Sequence, residues 1–203
     1  MFRSMFYDAI ENRHGLPHDP FKSLVVPRPI GWVSTLAPDG VVNLAPYSFF
    51  NAVGDKPHYV MFSSAGVKDS QRNAEATGEF VCSIATWELR DKMNATSAGV
   101  GPEVDEFAIS GLTPAPCELV APPRVAESPV ALECRYHQTV ELPSSDGITS
   151  HYAMVVGKVV GVHIDERIIV DGLVDVTRLR PIARLGYMQY AVVEEVFAMK
   201  RPG

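Results

Sequence analysis

The residues best equipped for chemistry in this 203-residue chain fall between Arg28 and Ser70. Asn43-Leu44-Ala45-Pro46-Tyr47-Ser48-Phe49-Phe50-Asn51 gathers amide, hydroxyl and aromatic groups on one short segment, as a planar heteroaromatic ligand with polar edges requires. Upstream, Arg28-Pro29-Ile30-Gly31-Trp32-Val33-Ser34-Thr35 ends an apolar strand on two hydroxyls, and Gly31 permits close backbone approach. Downstream, Ser63-Ser64 closes another strand and Lys68-Asp69-Ser70 opens a helix, so that hydroxyls, an ammonium and free helix amides together suit a phosphate. Each piece has an ordinary alternative: Phe49 and Phe50 also suit a core, and Lys68 a solvated loop.

Other familiar sites are missing. Gly99-Val100-Gly101 lacks the third glycine of a dinucleotide fingerprint, and there is no phosphate loop, two-histidine zinc helix or serine nucleophile elbow. His14, His18, His58, His137 and His163 have no cysteine or carboxylate at metal-ligand spacing, so no metal is expected. Cys82, Cys117 and Cys134 are odd in number and far apart, which indicates neither a disulfide framework nor a paired-cysteine zinc site. A reducing cytoplasm is the expected compartment. Asn94-Ala95-Thr96 fits a glycosylation pattern, but Met1 to Pro20 holds no apolar stretch of signal-peptide length, and a helix is expected there instead.

The elements that would position these residues are mostly strands. Val130, Leu132, Cys134, Tyr136 and Val140 alternate with Ala131, Glu133, Arg135, His137 and Thr139, the pattern of a half-buried strand. Ser144-Ser145-Asp146-Gly147 supplies a turn, and His151 to His163 is expected to pair back antiparallel, with bends or bulges at Gly157 and Gly161. Ile30 to Leu36 and Val41 to Leu44 flank Pro38-Asp39-Gly40 as a first hairpin, and Tyr59 to Ser63 reads as a further strand. Two short helices are expected: Gln71 to Thr77, capped by Asp69 or Ser70 and stopped at Gly78, and Trp87 to Thr96, capped by Thr86. Five prolines keep Thr113 to Pro129 an extended surface connection. Strands near both ends with no alternation of strand and helix predict an antiparallel barrel, mainly β with short helices.

Composition narrows the function classes. A content of 46% hydrophobic and 21% charged residues is that of a globular chain. Eighteen bases against 24 acids leave a net charge of -6, which argues against a broad basic surface for nucleic acid. Met154 to Val170 is interrupted by Lys158, His163, Asp165, Glu166 and Arg167, so no membrane span is expected. One domain over residues 1–203, with its core at about 20–195, accommodates the chain.

The ordered set of motifs resembles the flavin reductase-like family. It comprises the three stretches above, with Asn73, and Gly78-Glu79-Phe80-Val81, Asp105-Glu106-Phe107, Gly111-Leu112-Thr113, Glu127-Ser128-Pro129, Gly157-Lys158-Val159-Val160 and Arg184-Leu185-Gly186 with Tyr190. The resemblance implies an FMN-binding split barrel of Greek-key type and a homodimer with FMN near the subunit interface. It places Val33, Ser34 and Thr35 against the isoalloxazine edge and Ala45, Pro46, Tyr47 and Ser48 along the ring or ribityl chain, and counts Trp32 and Asn43 among the cofactor-binding residues. Ser63, Ser64, Lys68, Asp69 and Ser70 would surround the phosphate. The activity implied is NAD(P)H-dependent flavin reduction, hydride passing from NADH or NADPH to flavin and electrons onward to free flavin, a partner monooxygenase or another acceptor protein. No catalytic acid or base is required; His151 is a candidate nicotinamide or flavin contact, although Ser150 stands where related reductases carry an acid. Tyr187 replaces a usual glycine and would narrow access to the flavin or stack near it. The alternative is a flavoredoxin-like FMN electron carrier without a nicotinamide site.

Overall fold

In the computed structural model, which describes residues 4–202, seven strands form one antiparallel sheet. They are β1 (Gly31–Leu36), β2 (Val42–Tyr47), β3 (Phe50–Gly54), β4 (Tyr59–Ala65), β5 (Glu79–Ile84), β6 (Val130–Glu141) and β7 (Tyr152–Ile164). Their order across the sheet is β2-β1-β5-β6-β7-β4-β3. The two edge strands are therefore consecutive in the chain, joined only by Ser48-Phe49, and the sheet must curl until its edges meet. The Phe50 ring packs directly on Gly31 of β1, and the Tyr47 and Phe62 rings lie 4.7 Å apart. β2 and β3 do not pair, so the result is a mainly β barrel with an unzipped seam beside residues 47–50.

The turns follow their sequence chemistry. Gly40 takes φ 92° between β1 and β2, and Asp146 and Gly147 take φ 54° and 75° between β6 and β7, the twin positive values of a tight hairpin turn. The β6–β7 ladder slips at Val156/Gly157 and again at Val159/Gly161, the two bulges expected from the glycines.

Three expectations need correction. First, β6 is not half-buried along its length: Ala131 and Glu133, read as the outward face, are each 1% exposed. The proline-rich connection, pinned by a short pairing of Pro114–Ala115 with Arg124–Val125, covers that face and packs Cys117 and Val120 near Val81 and Ala131. Second, helix α1 (Asp69–Thr77) starts two residues early with Lys68 at its cap and no side-chain cap bond, while Gly78 ends it at φ 78°. Asp69 turns to Arg72, and the Ser70 hydroxyl is buried. Third, α2 (Arg90–Ala95) is shorter than expected; Thr86 bridges to Pro181 instead of capping it. A further short helix, α3 (Glu106–Ser110), has a clear signal in retrospect: Asp105 accepts the Phe107 N–H at 2.8 Å, and Gly111 stops it at φ 64°.

The core has two main parts. Val33, Tyr47, Phe62, Phe80 and Val155 fill the barrel. Trp32, Leu44, Leu89, Met93 and Phe107 join the other face of β1 and β2 to α2 and α3. A second small sheet pairs Arg28–Pro29 with Ile182–Arg184, which also pairs with Tyr190–Val192. No helix among the described residues is long and apolar enough to cross a membrane.

Candidate functional site

The seam between β2 and β3 opens into a cavity of about 1420 Å³ bounded by the N-terminal segment, α2 and the small sheet. Pro46, Ser48 and Phe49 form one wall, Trp87, Arg90 and Asn94 another, and Arg184, Tyr187 and Tyr190 a third. Aromatic faces and cations alternate: the Arg90 guanidinium lies 4.1 Å from the Trp87 ring centroid, and that of Arg184 4.5 Å from the Tyr190 ring. Lys22, Arg28, Arg90 and Arg184 face only Asp19 and Asp91 among the charged lining residues, a positive pocket in a chain of net charge -6. Burial, and then the charge of Arg184, pull the Arg28 guanidinium below its ordinary pKa, as expected where cations lack anionic partners. Arg28 holds the Val25 carbonyl at 2.7 Å, while its Nε is buried without a partner. An anionic, planar molecule is the chemical complement of this cavity.

Behind Ser48-Phe49 lies the second half of the arrangement. The Ser63 N–H donates to the Phe49 carbonyl at 2.8 Å, locking the seam segment to β4. β4 runs on to Ser64, whose hydroxyl is buried and donates to the Gly66 carbonyl at 2.7 Å. Lys68 follows, exposed, at the uncapped start of α1, where the first amides find no side-chain acceptor. The Tyr47 hydroxyl is buried without a hydrogen-bond partner. Burial pushes its pKa up; the Ser70 and Ser64 hydroxyls lie nearby and pull less strongly the other way, but their own bonds are with Asn43 and Gly66.

The residues expected at the ligand divide into two groups. Pro46 and Ser48 line the cavity, with Ala45 half-buried one residue before them; Ser63, Ser64, Lys68 and Asp69 gather at the start of α1. The others carry structural bonds. The Asn43 amide donates to Ser70 Oγ at 2.9 Å and to Thr35 Oγ1 at 3.2 Å, and the Asn73 amide donates to Thr35 as well. This buried knot ties α1 to the β1–β2 hairpin and so fixes the helix end that faces Ser64. Trp32 is fully enclosed, its indole N–H donating to Thr96 at 2.9 Å, Val33 is a core side chain, and Ser34 donates to the Pro123 carbonyl. Their side chains offer no surface to a ligand.

His151 is not among the cavity's lining residues; it is exposed at the start of β7, where its carbonyl accepts the Gly66 N–H at 2.6 Å, on the Lys68 side. Tyr187 does line the cavity, half-exposed, with φ 51° and its carbonyl bonded to Arg184. Sequence reading missed Arg28, Trp87, Arg90 and Arg184 as lining residues. The three-residue spacing of Trp87 and Arg90 was a usable signal, since on a single turn, here the one leading into α2, it brings a guanidinium over an indole. Arg184 stands in one of the family motifs, but its meeting with Arg28 had no local signal, because the small sheet that joins them closes over most of the chain length.

Comparison with known proteins agrees with this geometry. Residues 23–181 match the model of the flavin reductase like domain. An uncharacterized protein of Aquifex aeolicus is 38% identical over 173 residues, covering 82% of this chain and 85% of its own. The crystal structure of nitrilotriacetate monooxygenase component B from Bacillus cereus superposes with a TM-score of 0.87 at 30% identity, covering 98% of this chain and all of that one. Flavoredoxin of Desulfovibrio vulgaris (Miyazaki F) gives a TM-score of 0.77 at 25% identity, covering 86% and 91%. A split barrel with this seam, this cavity and this match over most of its length places the chain in the flavin reductase-like family.

Proposed function

We propose that the chain is an FMN-dependent oxidoreductase of the NAD(P)H:flavin reductase type, taking reducing equivalents from NADH or NADPH and passing them to free flavin or to a partner protein. The observation that carries this reading is the continuity of two sites through one segment. Pro46, Ser48 and Phe49 face the cationic aromatic cavity on one side, and the segment is bonded through Ser63 to the strand that leads to Ser64, Lys68 and the open amides of α1 on the other. That is the shape of a molecule with a planar head and a phosphate tail.

The residues fit FMN. Lys68 and the amides of the first turn of α1 would hold the phosphate, the unpartnered Tyr47 hydroxyl would face the ribityl chain, and Pro46 and Ser48 would support the ring. Bound FMN supplies the two-electron redox chemistry. The chain contributes position, through the Asn43–Thr35–Ser70 knot, and exclusion of water, through the Trp87 and Tyr190 walls. Arg90 and Arg184 would attract the anionic parts of an incoming dinucleotide. The homodimer that the family resemblance implies belongs to the same reading. The similarity to a monooxygenase component B supports a flavin-using oxygenase as the acceptor.

A flavoredoxin-like electron carrier is the second reading, favoured by Tyr187, whose ring occupies part of the cavity wall where a nicotinamide would stack. The test of the cofactor site is a paired titration of the cofactor-free protein with FMN and riboflavin. Lys68→Ala should weaken FMN by about 10- to 100-fold, the worth of a charged hydrogen bond, and leave riboflavin unchanged. Equal losses for both flavins, or none, would remove the phosphate site.

A further inference from the structure

A cluster away from the seam has the chemistry of a metal centre. The Cys117 sulfur, a Glu133 carboxylate oxygen and a His163 ring nitrogen lie within 4.8 Å of one another. The three residues come from the proline-rich connection, from β6 and from β7, so only the folded chain assembles them. We propose that Cys117, Glu133 and His163 bind a divalent transition metal, zinc by preference, which fastens the proline-rich connection to the β6–β7 hairpin.

The surroundings are those of a constructed site. Glu133 is 1% exposed, and its carboxylate is aimed by the N–H groups of Glu118 at 2.9 Å and Leu119 at 2.7 Å. Its Oε1 also lies 2.5 Å from His163 Nε2. Room for this buried acid comes from Gly161: a Cβ there would stand 3.1 Å from the Glu133 carboxyl carbon, and the ladder bulges at the same place. The donor set of one sulfur, one nitrogen and one oxygen is borderline in softness and suits zinc better than magnesium or calcium. A thiolate and a carboxylate match the charge of a divalent ion beside a neutral imidazole, with Arg124 and Glu118 offsetting each other nearby. Three protein ligands leave a fourth position for water.

Binding asks for a small adjustment. Two ligand atoms at about 2.0–2.1 Å from a tetrahedral ion stand roughly 3.3 Å apart, so the His163 ring must withdraw by under an ångström from Glu133. Its side chain is 25% exposed and has space to do so. The Cys117 proton leaves to solvent as the metal–sulfur bond forms. Without a metal, burial and the Glu133 carboxylate push that thiol up to about 11, so it stays protonated and inert.

The test uses the full chain, free of any metal-binding tag and kept reduced, titrated with cobalt(II) as a spectroscopic stand-in for zinc. The expected result is a one-to-one rise of tetrahedral cobalt bands in the visible and a thiolate charge-transfer band in the near ultraviolet, both abolished by added zinc. Cys117→Ser should remove the charge-transfer band, and His163→Gln should weaken cobalt binding at least about tenfold. Zinc should raise the thermal midpoint of the unsubstituted chain and not that of Cys117→Ser. Absence of the bands, or bands that survive Cys117→Ser unchanged, would overturn the site and leave Glu133 as a hydrogen-bonded clasp.

Discussion

Replacing Gly31 by alanine probes the seam on which both the fold and the proposed cofactor site depend. A Cβ at Gly31 would fall under 3 Å from three atoms of the Phe50 ring. The ring belongs to the first residue of β3 and cannot retreat without moving Ser48-Phe49. Overpacking of this kind costs about 1–3 kcal/mol. The alanine returns ~0.4–1 kcal/mol by restricting the unfolded chain. From the middle of each range the net loss is about 1.3 kcal/mol, or roughly 3–5 °C in thermal midpoint for a chain of this size. Gly99→Ala is the control, since nothing lies within 4 Å of a Cβ there and its φ is not in the left-handed region. Thermal unfolding of both variants, with FMN affinity measured alongside, makes the comparison. Gly31→Ala should lose stability and FMN affinity together, and shortening the ring in Gly31→Ala/Phe50→Leu should recover part of both. A Gly31→Ala protein as stable as Gly99→Ala would refute the closed seam.

Thr96→Val should destabilise by ~1–3 kcal/mol in urea unfolding, because it leaves the buried Trp32 indole N–H without its acceptor while keeping the volume. Asn43→Leu should loosen α1 by stripping Ser70 and Thr35 of a shared donor, read as faster amide exchange in Asp69–Thr77 and weaker FMN binding, with riboflavin less affected. Glu106 gives a pH test. Burial raises its carboxyl above the ordinary value, despite the Leu44 N–H donating at 2.9 Å. A carboxyl raised on folding contributes stability below its unfolded pKa and loses it as pH rises through the folded one. Glu106→Gln keeps an acceptor for Leu44, so the variant should gain relative to the parent at pH 7 and not at pH 4; an equal difference at both would contradict the shift.

Much of the barrel was legible because its signals are local. The turns at Gly40 and Gly147 and the bulges at Gly157 and Gly161 each follow from a residue and its immediate neighbours. What was not legible is set by distant chain. Ala131 and Glu133 read as outward residues because alternation reports one covered face, and nothing local says that the connection near Cys117 returns to cover the other. The same blindness hid the neighbourhood of His163, whose carboxylate and thiol lie 30 and 46 positions away. At the site, residue type alone did not separate hydroxyls that face a ligand from hydroxyls that tie elements together. Ser34, Thr35 and Ser70 proved to be of the second kind in their hydrogen bonding, while Ser48 lines the cavity. Arg28 and Arg184 meet only through the small sheet, so the positive field of the cavity was beyond reach of any window along the sequence.

The central claim is that this family member takes electrons from a nicotinamide through a flavin held at the seam. Its most direct test is the visible spectrum of the protein with bound FMN, recorded without oxygen before and after addition of NADH and, separately, NADPH. Rapid bleaching of the flavin absorption is expected with at least one donor, slowed in Arg90→Ala and Arg184→Ala. A bound-flavin spectrum that stays oxidised with both donors would contradict it and leave the chain as an electron carrier.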